Sequence, residues 1–381
     1  MTYLPISRES LNQAAEILRN GGIVAFPTET VYGLGADAFN PQALARVFEA
    51  KGRPRFDPLI IHIAAVETLE RVADLSLLDV EARKKLFTLV ENLWPGPLSI
   101  VLPKNEKIPG LATAGLPTAA IRFPCHDAAQ KLISLSTGAI AAPSANPFGS
   151  LSPTMAEHVR DGLGGKVDMI LDGGATRIGL ESTVLDITGG SFRILRPGGT
   201  PREAIERLIG TVQRTENNEQ ITNNNDQLAE DSEQAPFPTS NSRLPTPDSQ
   251  LPTPSLASPG LLKSHYAPKT PLFVLNGEAI IQKSYEKDCA FLFFDGFTRD
   301  SWLKTQKISE KMPRERSDKP KNACFRVLSE SGQALQAASR LFETLHELDN
   351  GGFSRIFAQF APSEGLGEAV NDRLQRASVL N

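Results

Sequence analysis

"PQALARVFEAKGRPRFDPLIIHI", Pro41 to Ile63, changes from one kind of secondary structure to another within a single stretch. Leu44, Val47 and Phe48 recur at helical spacing, Asn40 is placed to cap, and Pro41 suits a first turn. The spacing predicts a helix ending at Lys51, with Lys51 against the negative end of the dipole and Gly52 as a left-handed cap. "LIIHI", Leu59 to Ile63, then reads as a buried strand. Between the two, Lys51, Arg53 and Arg55 crowd into five residues and prolines stiffen the backbone. A helix end accounts for Lys51 and Gly52. It does not account for Arg53, held between Gly52 and Pro54 so that its guanidinium emerges at a fixed place. A fixed Arg–Lys pair suits phosphate, which Arg grips as a fork and Lys as a point charge. On these residues alone, a phosphate-binding edge and a helix end with solvated cations both stay open.

The same alternation continues on both sides. Leu11, Ala14, Ala15 and Leu18 predict a helix stopped by Gly21 and Gly22, followed by a strand over Ile23 to Phe26. Further strands are predicted over Leu98–Leu102, Ala119–Phe123, Ala139–Pro143, Val167–Asp172, Thr183–Ile187 and Phe192–Arg196. Strands interleaved with helices argue an α/β fold rather than a sandwich. The length of 381 residues suits two domains.

At Thr211 the character changes. Residues 211–257 are rich in Asn, Gln, Ser and Pro, with "LPTP" at both Leu244 and Leu251. So little apolar surface cannot offset the entropy of ordering, and a disordered linker is expected. Order is expected to resume over 258–270. Residues 271–381 then read as a smaller α/β unit with strands at Leu272–Leu275, Ala290–Phe294 and Phe353–Phe360. A helix there carries Leu335, Ala338, Leu341, Phe342 and Leu345, and "EGLGEAVNDRLQRAS" closes the chain.

Net charge is −4, but the stretch from Thr211 to Ser258 alone carries −5, so the remainder is about +1 and compatible with an anionic ligand. Cys125, Cys289 and Cys324 are far apart and form no paired motif, which points to a reducing compartment and away from structural zinc. The N-terminus lacks a signal-peptide layout, and no apolar run of about 18 residues occurs. A cytoplasmic protein without a membrane span is the expectation.

Several stretches carry possible chemistry. "GLGADA", Gly33 to Ala38, loosely matches the dinucleotide fingerprint, but six residues separate it from the strand end at Phe26, so it reads as a glycine-rich turn. Thr28, Thr30 and Tyr32 sit just past a strand end, where open α/β sheets bind ligands. Arg122 lies inside an apolar strand pattern and needs either an internal carboxylate or a ligand carboxylate. Ser144 and Asn146, between Pro143 and Pro147, cap a turn or face a ligand; His62 in "LIIHI" alone reads as a core histidine. Ser182 precedes a strand and Arg196 ends one. No P-loop is present, since "GLGGKVDM" fails at its last position, and no nucleophile elbow, H-E-x-x-H or kinase signature occurs.

Taken together, "PTETVYGLG", "KGRP", "WPGPLSIVL", "IRFPCH", "APSANPFGSLSPT", "ESTVLDI" and "LRPGG" resemble, in order and spacing, a YrdC-like domain. "SPGLLKSHYAP" and "GLGEAVNDRLQRAS" look like the linker and extra domain of the two-domain L-threonylcarbamoyladenylate synthases. The resemblance implies a YrdC-like twisted open sheet with helices around a concave site over 1–210, an ATP-covering segment over 258–270, and a Rossmann-like domain over 271–381. It implies a nucleotidyltransferase joining L-threonine, bicarbonate and ATP, with Mg2+ bridging the phosphates. The product would serve tRNA modification through transient contact with transfer proteins. Carried over by position, Lys51, Arg53, Ser144 and Asn146 surround the phosphates. Thr30, His62, Arg122, Ser144 and Ser182 hold threonine. Arg53, Asp57, Thr118, Asn146, Thr154, Arg196 and Tyr266 hold the nucleotide, with His265 or Tyr266 covering it. Asp57 departs from the family's usual Asn: a carboxylate there would repel phosphate unless magnesium or Arg55 intervenes. The competing reading is an RNA-binding or ribosome-associated factor on the same fold. The near-neutral charge outside the linker and the scarcity of tyrosine and tryptophan weigh against it.

Overall fold

The computed structural model describes residues 1–214, 266–286, 288–306 and 324–379. Residues 215–265, with His265 and nearly all of the expected linker, lie outside the described residues.

The first unit is a mixed sheet of eleven strands. In chain order they are β1 (Thr2–Pro5), β2 (Val24–Phe26), β3 (Gly33–Asp37), β4 (Ile60–Ile63), β5 (Leu98–Pro103), β6 (Thr118–Arg122), β7 (Ala139–Ala141), β8 (Met169–Asp172), β9 (Thr183–Asp186), β10 (Arg193–Arg196) and β11 (Gln213–Arg214). Their order across the sheet is β1-β8-β2-β3-β7-β4-β6-β5-β9-β10-β11. Two local readings need correcting. Gly33 to Asp37 is a strand, antiparallel to β2, not a turn. Its glycines are there for packing: a Cβ on Gly35 would lie 2.7 Å from Ile140 Cγ2 and 2.8 Å from Phe26 Cε1. Gln213 and Arg214, placed in the linker by composition, instead add a short strand beside β10.

Helix α1 (Arg8–Arg19) is capped by Ser7, and Ser10 returns the bond to the Ser7 backbone. Helix α2 (Pro41–Lys51) starts as expected, with Asn40 accepting from the amides of Gln42 and Ala43, and ends at Gly52 with φ 62°. One sheet face packs on α2, α3 (Leu69–Val72), α4 (Val80–Leu93), α6 (Ala156–Leu163) and α7 (Arg202–Ile209), through Ile61, Ile100, Ile121 and Leu185. The other face is covered over one half by α1 and α5 (Asp127–Leu135), through Leu11, Leu18, Leu132 and Ile133 against Val24, Phe26 and Ile140. Its second half, where β4, β6, β5, β9 and β10 lie side by side, presents only a thin apolar strip of Ile60, Val101, Ala120, Val184 and Leu195. That gap in the helical cover is where the site forms.

The second unit has four parallel strands in the order β12 (Leu272–Leu275), β15 (Arg355–Gln359), β13 (Cys289–Asp295), β14 (Cys324–Ser329). The helices Ala334–Asp349 and Leu366–Ala377 pack beside it, and the first buries Ala338, Leu341, Phe342 and Leu345 but leaves Leu335 exposed. The two units share a core. Val31, Leu151, Ile178 and Leu180 of the first pack in one cluster with Tyr266, Ala338, Leu341 and Phe342. The backbones approach closely at Gly179 (φ 72°), where a Cβ would lie 2.6 Å from the Ser339 carbonyl. Among the described residues, no helix is long and apolar enough to cross a membrane.

Candidate active site

Register decides which side chains meet on the open half of the sheet. Pairing places His62 (β4), Arg122 (β6), Ser99 (β5), Val184 (β9) and Arg196 (β10) in one row. Directly opposed residues share a face, so an imidazole and two guanidiniums, 60 to 134 positions of chain apart in no obvious pattern, line up across five strands. A cavity opens over this row, walled by Thr28, Thr30, Arg53, His62, Arg122, Ser144, Glu181, Ser182, Arg196 and Tyr266.

At one end Arg122, 3 % exposed, donates from Nη1 to Thr30 Oγ1 at 2.9 Å and from Nε to the Gly96 carbonyl. Thr28 Oγ1 lies 2.7 Å from Thr30 Oγ1 and donates to the Val31 carbonyl, so Thr30 is oriented from both sides. The internal partner of Arg122 is Glu29, 2.6 Å from Nη2. That contact lies off the hydrogen-bond axis, and both Glu29 oxygens are buried without an aligned donor. Between the two possibilities left open for Arg122, this arrangement supplies the carboxylate from within the chain. His62 Nδ1 lies 3.1 Å from the Ile60 carbonyl, an acceptor that favours the tautomer protonated on Nδ1. Burial, helped by Arg122 and opposed by the carbonyls of Ile60 and Ile140, pushes the His62 pKa down to about 3. The ring is therefore neutral at any working pH.

At the other end Arg196 donates from Nε and Nη2 to the Ser182 carbonyl at 3.2 and 2.9 Å. Ser182 Oγ sits 2.8 Å from Ser99 Oγ. Arg53 is 7 % exposed and donates to the carbonyls of Asp57 and Pro58. Its Nη2 lies 2.8 Å from Asp57 Oδ1. Burial pushes the Asp57 carboxyl up, and Arg53, Lys51 and Arg196 pull it back only in part. Asp57 is therefore balanced by Arg53 rather than by Arg55, which is exposed.

Lys51 is 4 % exposed. Its ammonium donates to the Ser144 carbonyl at 2.5 Å and to the Asn146 carbonyl, while its own carbonyl accepts from the Phe148 amide. Burial, then Arg53, push its pKa well below the ordinary lysine value. Asn146 donates to the carbonyls of Pro147 and Ser150 and keeps Oδ1 buried without a partner. The set of Lys51, Arg53, Ser144 and Asn146 does come together, but Lys51 acts on the loop behind the wall.

Of the residues singled out from sequence, Thr30, Arg53, His62, Arg122, Ser144, Ser182, Arg196 and Tyr266 line the cavity. Lys51, Asp57, Asn146 and Thr154 stand outside its lining. Thr118 opens β6 and so lies at the opposite end of that strand from Arg122. Glu29, Ser99 and Glu181 were missed. Glu29 and Glu181 each adjoin a chosen residue within one or two positions, but nothing local says which charge they face.

The second unit borders this site. His346 lies 3.1 Å from the Ser152 carbonyl and stacks on His158 at 3.9 Å between centroids. His158 in turn lies beside the Thr154 amide and hydroxyl. Burial and His346 depress the His158 pKa to about 4; burial also depresses that of His346, against the pull of Asp349 and Asp161. Both rings fold neutral. Their contribution is fully present above the unfolded value of about 6.5 and is lost as pH falls toward 4. The melting temperature should therefore drop across that window, and His158→Gln should flatten the drop; an unchanged slope would count against this assignment.

An open mixed sheet with buried arginines beside a packed second domain defines a protein that binds a small anionic substrate in a pocket, not along a surface. Residues 16–198 match the family described as Telomere recombination (Sua5_yciO_yrdC), and residues 202–379 match the Threonylcarbamoyl-AMP synthase C-terminal domain. The chain is 38% identical over 386 residues to the threonylcarbamoyl-AMP synthase of Pyrococcus abyssi, covering 99% of this chain and 98% of that protein. To the Bacillus subtilis threonylcarbamoyl-AMP synthase it is 37% identical over 372 residues, covering 96% and 92%. The crystal structure of P. abyssi Sua5 complexed with L-threonine superposes with a TM-score of 0.75 at 34% identity, over 99% of this chain and 96% of that one. The chain belongs to the threonylcarbamoyl-AMP synthase family.

Proposed function

We propose that this chain condenses L-threonine, bicarbonate and ATP into threonylcarbamoyl-AMP and pyrophosphate. The observation that carries the reading is the row bearing Arg122 at one end and Arg196 at the other. Three strand spacings of about 4.8 Å separate them by roughly 14 Å, the span of an amino acid joined to a nucleotide phosphate.

In this reading Arg122, Thr30 and neutral His62 receive threonine: the guanidinium faces its carboxylate, and His62 Nε2 accepts a hydrogen bond. With a pKa near 3, His62 orients and does not store a proton. The free amine attacks the bicarbonate carbon, and carbamate forms with loss of water. A carbamate oxygen then attacks the α-phosphorus in line, and pyrophosphate leaves. Arg53 and Arg196 balance the charge on the phosphates, while Lys51 holds the Ser144–Asn146 loop in place. Such chemistry rests on positioning and charge stabilisation. Mg2+ enters as part of the MgATP substrate. Among the described residues, no group of three His, Cys, Asp or Glu is placed to hold a metal ion. Ile60, from the apolar strip, lines the cavity with Val31 and Ala142 and offers apolar contact for the base. The product passes to proteins that modify the tRNA adenosine next to the anticodon. RNA as the primary ligand is disfavoured because Lys51, Arg53, Arg122 and Arg196 are all buried, out of a duplex's reach.

The test is pyrophosphate release by the purified protein with MgATP. Release should require both threonine and bicarbonate, and Lys51→Ala should cut it by about a hundredfold, the loss expected when a reacting loop shifts by about 1 Å. Release independent of threonine would sink the reading.

A further inference from the structure

Arg373, on the Leu366–Ala377 helix of the second domain, has a side chain with 0% exposure. Its guanidinium serves several separate parts of the chain at once. Nε donates to Glu181 Oε2 at 2.6 Å, Nη2 donates to the Pro197 carbonyl at 3.0 Å, and Nη1 donates to Asp372. Its Cζ lies 5.0 Å from the centroid of the Tyr266 ring. Each partner outside its own helix lines the cavity or adjoins a residue that does. Glu181 lines the cavity, adjoins Ser182, and accepts from Ser152 Oγ, two residues before Thr154. Pro197 follows Arg196. Tyr266 lines the cavity, and its backbone sits at φ 63°, a region costly for a bulky side chain. The strain is held by packing: the ring, 1 % exposed, lies between Arg373 and Phe342, 5.7 Å away by centroid.

We propose that Arg373 is a positioning residue of the second domain for the adenylation reaction, setting the Glu181–Ser182 turn, the Arg196–Pro197 strand end and the Tyr266 ring in one arrangement. This rests on the synthase reading. A buried ion pair is weak evidence for stability, because apolar residues of similar volume often hold a fold as well. What apolar residues cannot do is point two donors in fixed directions at two loops while laying a cation against an aromatic ring, which is the property of the planar guanidinium fork. Thr30, His62 and Arg122 at the threonine end are untouched by Arg373, and of the residues carried over to threonine only Ser182 lies on an element it holds. At the nucleotide end, Arg196 and Tyr266 both lie on elements it holds.

The experiment compares Arg373→Met, Arg373→Lys and Glu181→Gln with wild type. The readouts are binding of a non-hydrolysable ATP analogue, binding of threonine alone, pyrophosphate release and melting temperature. Arg373→Met should weaken the analogue by about 30-fold or more and change threonine affinity less than threefold. Arg373→Lys should recover only part of the loss, because it keeps the charge without the fork. Glu181→Gln keeps shape and fold should Arg373→Met fail to fold, and should weaken the analogue in the same direction. Leu345→Ala, in the shared core but away from the cavity, should lower the melting temperature while leaving analogue affinity unchanged. Lower melting temperature with unaltered analogue affinity in both Arg373→Met and Glu181→Gln overturns the proposal; so do equal losses for threonine and analogue. A wild-type protein that binds the analogue but releases no threonine-dependent pyrophosphate overturns the synthase reading alone, and the analogue readout still decides the role of Arg373.

Discussion

Arg122→Met is expected to abolish threonine-dependent pyrophosphate release and to lower stability by about 3–5 kcal/mol, the usual cost of removing one partner of a buried ion pair. The stability loss comes from Glu29, which is 2 % exposed and has no aligned donor on either oxygen. Without the guanidinium 2.6 Å away, that carboxylate is left as an unpaired charge in the protein interior. The activity loss has a different origin, the absence of a cation to face the substrate carboxylate. The two effects can be separated. Glu29→Gln combined with Arg122→Met removes both charges, so most of the melting temperature should return while threonine binding stays lost. Calorimetry and threonine titration of the double variant read the two effects independently. Threonine-dependent release recovering along with stability would mean that Arg122 serves the fold and not the substrate.

The same pair illustrates how far the sequence could be read. A charge inside "AIRF" showed that Arg122 needed a partner, but the partner lies 93 positions earlier, in the loop between β2 and β3, and is brought there by the tertiary fold, which no local pattern encodes. Elements whose signals are local came through: the cap at Asn40, the left-handed Gly52, and the strand over Leu272–Leu275 stand where spacing and capping put them. Gly33–Asp37 failed for an instructive reason. Its glycines imitate a turn, whereas the cause of their small size is the Phe26 ring and Ile140 on neighbouring strands. Cys324–Ser329 and Thr2–Pro5 were also passed over as strands, being short runs of mixed polarity that the sheet stabilises through its neighbours. In the site, residue types were legible and their layering was not. "KGRP" predicts a cationic cluster, yet only the fold shows that Lys51 grips carbonyls while Arg53 reaches the cavity wall.

Arg53→Ala is expected to lower pyrophosphate release by about a thousandfold, within the range for removing an arginine that stabilises transferring phosphate. Its effect on stability should be smaller than that of Arg122→Met, because the partner left behind differs. Asp57 already has its carboxyl pushed up by burial, so without Arg53 it takes up a proton at a higher pH and sheds the charge. Asp57→Asn separates the two roles from the other side. It deletes the carboxylate 2.8 Å from Arg53 Nη2 while the carbonyls of Asp57 and Pro58 still hold the guanidinium. Arg53 then carries an uncancelled charge in a buried wall, which costs stability with the cavity empty and attracts phosphate when ATP arrives. The expected signature is a lower melting temperature without nucleotide, a larger rise on adding ATP, and an ATP affinity at least equal to wild type. Should Asp57→Asn lose ATP binding as Arg53→Ala does, the carboxylate itself takes part in holding the magnesium-bound phosphates, and Arg53 is its orienting partner.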